Sequence, residues 1–254
     1  MTTHRVVIGN AEMWHGDCRD VLPLVQADAC VSDPPYGIEH RFGEVAKSPK
    51  GSRRLAFDFD GPHVNAMVVD VVAATAAMAD AHFWFCGLHQ VSPIAGALRS
   101  AGLVEKPAAW VKKCPPPPKP GNWWPSAFEH AVYAYRAGAW FGDNDPARRN
   151  VFVADGYRHG VPGKENHPTQ KPLGLMERIV TAICPLGGTV LDPFMGSAST
   201  GVAAIRHGRR FIGIEIDRAH FDTACERIER AHAQAPLFPA VQEPAASQLR
   251  LEAA

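Results

Sequence analysis

Ser32-Asp33-Pro34-Pro35-Tyr36-Gly37 decides how the rest of this chain is read. The run Ala27-Asp28-Ala29-Cys30-Val31 leads into it, short and apolar as a buried strand is. Two prolines in succession cannot donate to a sheet ladder, so the strand stops here, and their fixed φ stiffens the backbone. Asp33 and Tyr36 are thereby held in one arrangement at the C-terminal edge of a strand. That edge is where open α/β sheets bind ligands. A carboxylate, an outward Pro34 carbonyl and a flat ring can hold a planar, amino-bearing base by stacking and by accepting its N–H hydrogens. A proline turn with an Asp cap and a packing Tyr has the same composition. What separates the two readings lies far downstream.

There, Thr189-Val190-Leu191 reads as a strand ending at Asp192-Pro193-Phe194-Met195-Gly196-Ser197-Ala198-Ser199-Thr200. A helix follows to His207 and is stopped by Gly208; the strand Arg210 to Ile214 then runs into Glu215. Strand, small-residue turn, helix, strand, acid is the βαβ logic of a nucleotide-type site. Gly196 lets the backbone approach a ligand. Ser197, Ser199 and Thr200 offer hydroxyls and N–H groups at a helix N-terminus, which suits a carboxylate. Glu215 is placed to accept both hydroxyls of a ribose.

Working outward, 254 residues suffice for one large α/β domain. A 46% hydrophobic and 20% charged composition is that of a soluble globular protein. Six cysteines with no C-x-x-C pair point to reduced thiols in the cytoplasm and away from zinc. The twelve histidines form no H-x-x-x-H pair on a predicted helix, so no metal is expected. No signal peptide opens the chain, and Val64 to Ala79, its most apolar window, is broken by Asn65, Asp70 and Thr75 as a buried helix would be. No membrane partner is expected. Formal net charge is zero, but unevenly spread: Arg41, Lys47, Lys50, Arg53 and Arg54 face Glu44 alone. The stretch from Lys106 to Lys171 is also basic. Such local surfaces bind phosphates even in a neutral protein.

Taken in order, Arg5 to Ile8 and Ala11 to His15 read as a strand pair turning at Gly9-Asn10, and Asp17 follows at a strand end. Residues 41–60 read as a mobile loop over the site. Pro62 opens a helix through Ala79; Ala81 to Cys86 is a strand, Ser92 to Ala101 a helix, Val104 to Lys112 a strand. Residues 114–165 form an insertion suited to target recognition, beginning with five prolines between Cys114 and Pro120 and containing Trp123-Trp124 and a strand from Glu129 to Arg136. From Gly142 to Lys164 the chain reads as irregular. Asn166-His167-Pro168-Thr169-Gln170-Lys171-Pro172 leads into a helix through Cys184. Asp217 caps a last helix, and residues 233–254 read as a disordered tail, leaving 1–232 as a single domain.

Asp33-Pro34-Pro35-Tyr36, then His167-Pro168-Thr169-Gln170-Lys171-Pro172, then Asp192-Pro193-Phe194-Met195-Gly196-Ser197 resembles the permuted, β-class amino-methyltransferases of DNA, the adenine-N6 and cytosine-N4 enzymes. In them the catalytic half precedes the half that binds S-adenosylmethionine. The resemblance runs from about Gly16 to Ile228. It implies a Rossmann-like α/β fold: a mixed, mostly parallel sheet with helices on both faces and circularly permuted motifs. It implies a flipped base in double-stranded DNA, with Asp33 and the Pro34 carbonyl on the target amine, Pro35 stiffening the turn, and Tyr36 stacked on the ring. It implies that Asp192, Phe194 and Gly196 line the methyl donor, with Ser199 and Thr200 near its carboxylate, Glu215 on its ribose and Asp17 near its adenine. Thr169 and Lys171 would flank its methionine end. Arg41, Lys47, Arg53, Arg54, Lys112, Lys113, Trp123 and Trp124 are the DNA-binding candidates. A homodimer, as many relatives form, is compatible with the sequence, as is a restriction-modification setting.

Two positions depart from the family pattern: Ala198 stands where a second glycine is usual, and Ser199 where threonine is. Alanine costs little at negative φ and is crowded at positive φ. Aspartate at the first motif position resembles the adenine-N6 enzymes, serine being usual in cytosine-N4 ones. The alternatives are cytosine-N4 transfer, a non-catalytic DNA-binding relative, and methylation of RNA or of a protein glutamine.

Overall fold

A computed structural model describes residues 3–37, 62–115, 124, 126–142, 148–155 and 170–234. The chain opens with the antiparallel pair β1 (His4–Ile8) and β2 (Ala11–His15), then a short helix α1 (Cys18–Val21) and β3 (Ala29–Ser32). Next come α2 (Pro62–Ala76), β4 (Ala81–Cys86), a 3-10 turn over Leu88–Gln90, and α3 (Val91–Ser100). Strands β5 (Val104–Lys112), β6 (Phe128–Tyr135) and β7 (Val151–Ala154) follow. The remainder is α4 (Leu173–Ile183), β8 (Thr189–Asp192), α5 (Ser199–Arg206), β9 (Arg210–Glu215) and α6 (Arg218–Ala233).

All nine strands join one sheet in the order β1-β2-β9-β8-β3-β4-β6-β5-β7. From β2 to β4 the ladders are parallel; β6 lies antiparallel between β4 and β5, and β7 returns parallel to β5. This is the mixed, mostly parallel sheet expected. Strand alternation divides the core into two layers. In β4, Ala81, Phe83 and Phe85 face the layer built by α4, α5 and α6, while Trp84 and Cys86 face that of α2 and α3. Helix α4 contributes Leu175, Met176, Ile179, Val180 and Ile183, a helical stripe fully in the core. Each of these side chains adds about 1.5–3 kcal/mol by leaving water.

One element was not expected. Val151-Phe152-Val153-Ala154, inside the stretch read as irregular, pairs with Ala109 to Lys112 as β7. Four residues are too few for a period to declare itself, although two β-branched residues and an aromatic are strand formers. The expected loop at 41–60 and the tail from 235 lie outside the described residues, as does much of 114–165.

Candidate active site

The Asp33 turn leaves the C-terminal end of β3, and the Asp192 turn leaves that of β8. The two strands are parallel neighbours, Ala29 opposite Val190 and Cys30 opposite Leu191. Both turns therefore emerge at one sheet edge. They are tied there by the fully buried Ser32, whose hydroxyl donates to Asp192 Oδ1 at 2.6 Å. Asp192 also accepts from the Thr200 hydroxyl at 2.7 Å and the Phe194 N–H at 3.2 Å. Burial nevertheless pushes its carboxyl up to about 6.

The Pro-Pro turn is held from behind. Gln90 Nε2 donates to the Pro35 carbonyl at 3.0 Å and to Asn65 Oδ1 at 2.9 Å, and Gln90 Oε1 accepts from the Gly87 N–H at 3.0 Å. The turn closes at Gly37, whose φ of +60 favours glycine and where a Cβ would meet Asn65 Oδ1 at 2.5 Å. In front, the Tyr36 hydroxyl lies 2.9 Å from Asp33 Oδ1 and 3.0 Å from Glu129 Oε2.

The Lys171 ammonium reaches the Asp33 turn, lying 2.5 Å from Asp33 Oδ2 and 3.2 Å from Glu129 Oε2. It donates to the Tyr36 oxygen at 3.3 Å and sits over the rings of Phe85 and Tyr36 at 4.9 and 5.5 Å. Its side chain is only 6% exposed, and a buried ammonium needs counter-charge. Burial would lower its pKa, but Asp33 and Glu129 outweigh that and raise it, so Lys171 remains a cation. Asp33 is raised by burial against the pull of Lys171. For Glu129, Lys171 and Lys112 overcome burial and lower it. Glu129 was not singled out in the sequence. Because β6 runs antiparallel, its first residues lie at the edge where the parallel strands end, which a carboxylate at a strand start does not announce.

At the Asp192 turn, Glu215 ends β9 with Oε2 accepting from the Gly196 N–H at 2.9 Å and Oε1 from the Asp217 N–H at 2.8 Å. Each oxygen keeps a lone pair for a further donor. Burial pushes this carboxyl up to about 7. Asp17 stands one residue beyond Gly16, whose N–H bonds the Glu215 carbonyl at 2.9 Å. Its carboxylate caps α1 through the Arg19 N–H, and the Arg19 guanidinium beside it lowers its pKa. Gly196 has φ +50, and Ala198 has φ +56, the one non-glycine in the left-handed region among the described residues. The Thr200 and Ser199 hydroxyls are turned inward, to Asp192 and to the Arg227 guanidinium. What α5 offers a ligand is therefore its unpaired first-turn N–H groups. A glycine backbone at Gly196, first-turn helix N–H groups and a carboxylate with spare lone pairs are the groups that a nucleoside-bearing amino acid would need.

Of the expected DNA contacts, Lys113 is exposed and Trp124 is 86% exposed. Lys112 is largely taken up inside the protein, 2.9 Å from Glu129 Oε1 and over the Trp110 ring. Arg41, Lys47, Arg53, Arg54, Trp123 and Thr169 lie outside the described residues. Among the described residues, no group of acids, histidines or cysteines could hold a metal ion, no helix is long and apolar enough to cross a membrane, and the six cysteines are unpaired.

Two turns thus emerge side by side at the C-terminal edge of a Rossmann-like sheet, the edge where such sheets bind ligands. Comparison with known proteins narrows this further. The N6/N4 DNA methylase family matches residues 105–226, a span holding Glu129, Lys171, the Asp192 turn and Glu215. Type II methyltransferase M2.DpnII of Streptococcus pneumoniae is 29% identical over 227 residues, covering 80% of this chain and 82% of that protein. DNA adenine methyltransferase YhdJ of Escherichia coli K12 is 45% identical over 82 residues, covering 32% of this chain and 28% of that one. Among solved structures, the M1.HpyAVI–SAM complex superposes with a TM-score of 0.68 at 26% identity, over 86% of this chain and 98% of that one. The cytosine-N4-specific PvuII methyltransferase shares the fold, with a TM-score of 0.67 at 14% identity and 87% of each chain covered. The chain is thus similar to the N6/N4 DNA methyltransferases, in sequence over residues 105–226 and in fold over most of its length.

Proposed function

We propose that the protein moves a methyl group from S-adenosylmethionine to the exocyclic N6 of an adenine flipped out of double-stranded DNA. The observation that carries the reading is the Ser32–Asp192 bond, which fastens the amine-gripping turn to the donor-binding turn at one sheet edge. Adenine rather than cytosine is supported by aspartate at the head of the Asp33 motif and by the likeness to an adenine methyltransferase. The fold does not choose, since a cytosine-N4 enzyme shares it.

The donor supplies an electrophilic methyl group on a sulfonium. Glu215 would hold its ribose hydroxyls, the Gly196 backbone and the first turn of α5 its amino-acid end, and Asp17 and Phe194 its base. An exocyclic amine is a poor nucleophile because its lone pair is conjugated with the ring. Asp33 and the Pro34 carbonyl, accepting its two hydrogens, favour a pyramidal nitrogen and release that lone pair. Flipping costs a few kcal/mol of unstacking. Stacking on Tyr36, about 1–3 kcal/mol, offsets part of it. Lys113 and Trp124 would meet the duplex, with the basic residues between Arg41 and Arg54. The same reading makes residues 1–232 one catalytic unit acting in the cytoplasm, with a homodimer the assembly to look for by light scattering.

Incubating the protein with donor and duplex DNA, then digesting to nucleosides, should yield N6-methyladenine. N4-methylcytosine would overturn the base assignment. Asp33→Ala and Tyr36→Ala should each abolish or severely cut transfer while circular dichroism shows the fold intact; unchanged turnover in both removes the assignment.

A further inference from the structure

The roles above leave Glu129 and Lys112 unused, although Glu129 shares both the Tyr36 hydroxyl and the Lys171 ammonium with Asp33. We propose that Glu129 is the outlet for the proton released by methyl transfer, reached from Asp33 through the Tyr36 hydroxyl. The inference rests on the methyltransferase reading. As the new N–C bond forms and the C–S bond breaks, sulfur keeps the bonding pair and the target nitrogen becomes cationic. One N–H bond must then break, its electron pair returning to nitrogen. Asp33, already holding that hydrogen, accepts the proton.

Asp33 then needs an exit. Solvent reaches 22% of its side chain, and the bound base would cover that part. Lys171 cannot accept, being an ammonium clasped by two carboxylates. Among the described residues the Tyr36 hydroxyl is the neighbour of Asp33 that both accepts and donates. It takes the proton from Asp33 Oδ1 while its own passes to Glu129 Oε2, over hydrogen bonds of 2.9 and 3.0 Å. The phenol is regenerated, Asp33 is again a carboxylate, and the proton is held by Glu129 only in passing. Glu129 is 20% exposed and Lys112 beside it 22%, so water can collect the proton there. Lys171 and Lys112 both favour ionised Glu129, which resets the outlet for the next turnover. The plainer account is that two lysines merely neutralise two buried carboxylates.

Multiple-turnover methylation of duplex DNA in H2O and D2O, at several concentrations of imidazole buffer, separates the two. Wild type should show little response to either. Glu129→Gln should be about 100-fold slower, with a solvent isotope effect above about 2 and a rate that rises with buffer base, as expected when a proton acceptor is lost. Donor and DNA affinities, read by calorimetry and fluorescence anisotropy, should be unchanged. Tyr36→Phe, which keeps the ring, should show the same isotope and buffer responses, and the double variant should be no slower than the slower single. It also carries the test if Glu129→Gln does not fold. A Glu129→Gln or Tyr36→Phe rate that falls without those responses, or does not fall, overturns the relay. A wild-type protein that binds donor and methylates no DNA sinks the parent reading and the relay with it.

Discussion

Lys171 is a cation that solvent hardly reaches, and its two carboxylate partners are what make that tolerable. Lys171→Met would leave buried Asp33 without counter-charge and Glu129 with Lys112 alone. Breaking such a pair from one side costs about 3–5 kcal/mol, which urea unfolding would read directly. In the surviving fold the two acids would share a proton at neutral pH, so methyl transfer should fall and recover as pH is raised. Glu215 gives a second pH dependence. Its ordinary value near 4.5 is raised to about 7 by burial, so between these values the folded chain holds a proton that the unfolded chain has lost. Stability therefore falls as pH rises through that window, while the ionised form wanted by ribose hydroxyls accumulates. Donor affinity measured by calorimetry should climb from pH 5.5 to 7.5 and level off, and Glu215→Gln should flatten the curve. At Ala198 the left-handed φ costs about 1–2 kcal/mol, and removing the methyl forfeits about 0.8 kcal/mol of burial. Ala198→Gly should thus change stability by about 1 kcal/mol or less. Ala198→Val, branched and fully buried, should lose about 2–4 kcal/mol.

At the scale of elements, the Pro-Pro turn is only as rigid as its support. Gln90 ties the 3-10 turn before α3 to the Pro35 carbonyl and to Asn65 of α2. Gln90→Leu keeps the volume and strands those buried partners, so it should cost about 1–3 kcal/mol and lower kcat more than it weakens donor binding. Unaltered kcat would show that the prolines alone hold the turn. Most elements were legible because their signals are local: the helical stripe of α4, the glycine stop after α3, the Asp217 cap, the proline stop after β3. The turns on β3 and β8 were legible for the same reason, each being a short run of special residues. The meeting of Glu129 with Lys171 and Asp33 was not, because it comes about only through the β4–β6 pairing and the entry to α4, contacts between residues far apart in sequence. Nor could sequence say that the hydroxyls of Ser199 and Thr200 turn inward, since that depends on Asp192 and Arg227 being there to receive them.

For the whole molecule, strand order matters more than any one contact. The ladder β9-β8 lies between β2 and β3, so strands from the second half of the chain fill a gap among strands from the first. Neither half has a complete sheet, and both core layers draw on both halves. Unfolding followed at the buried Trp84 by fluorescence and over the backbone by far-ultraviolet circular dichroism should superimpose on one transition. Two separated transitions would mean that the halves fold alone. A saturating donor should move that single transition upward, by about 2.7 kcal/mol at a hundredfold excess over its Kd.

The same interleaving governs when activity can first exist. A ribosome delivers β1 to β7 before it delivers the two strands that close the gap, so the emerging chain waits with its central seam open. The Asp33 and Asp192 turns are then joined at one edge, as β8 and β9 slot home. A nascent chain stalled before Thr189 would hold every atom of the Asp33 motif and have nothing to fasten it to.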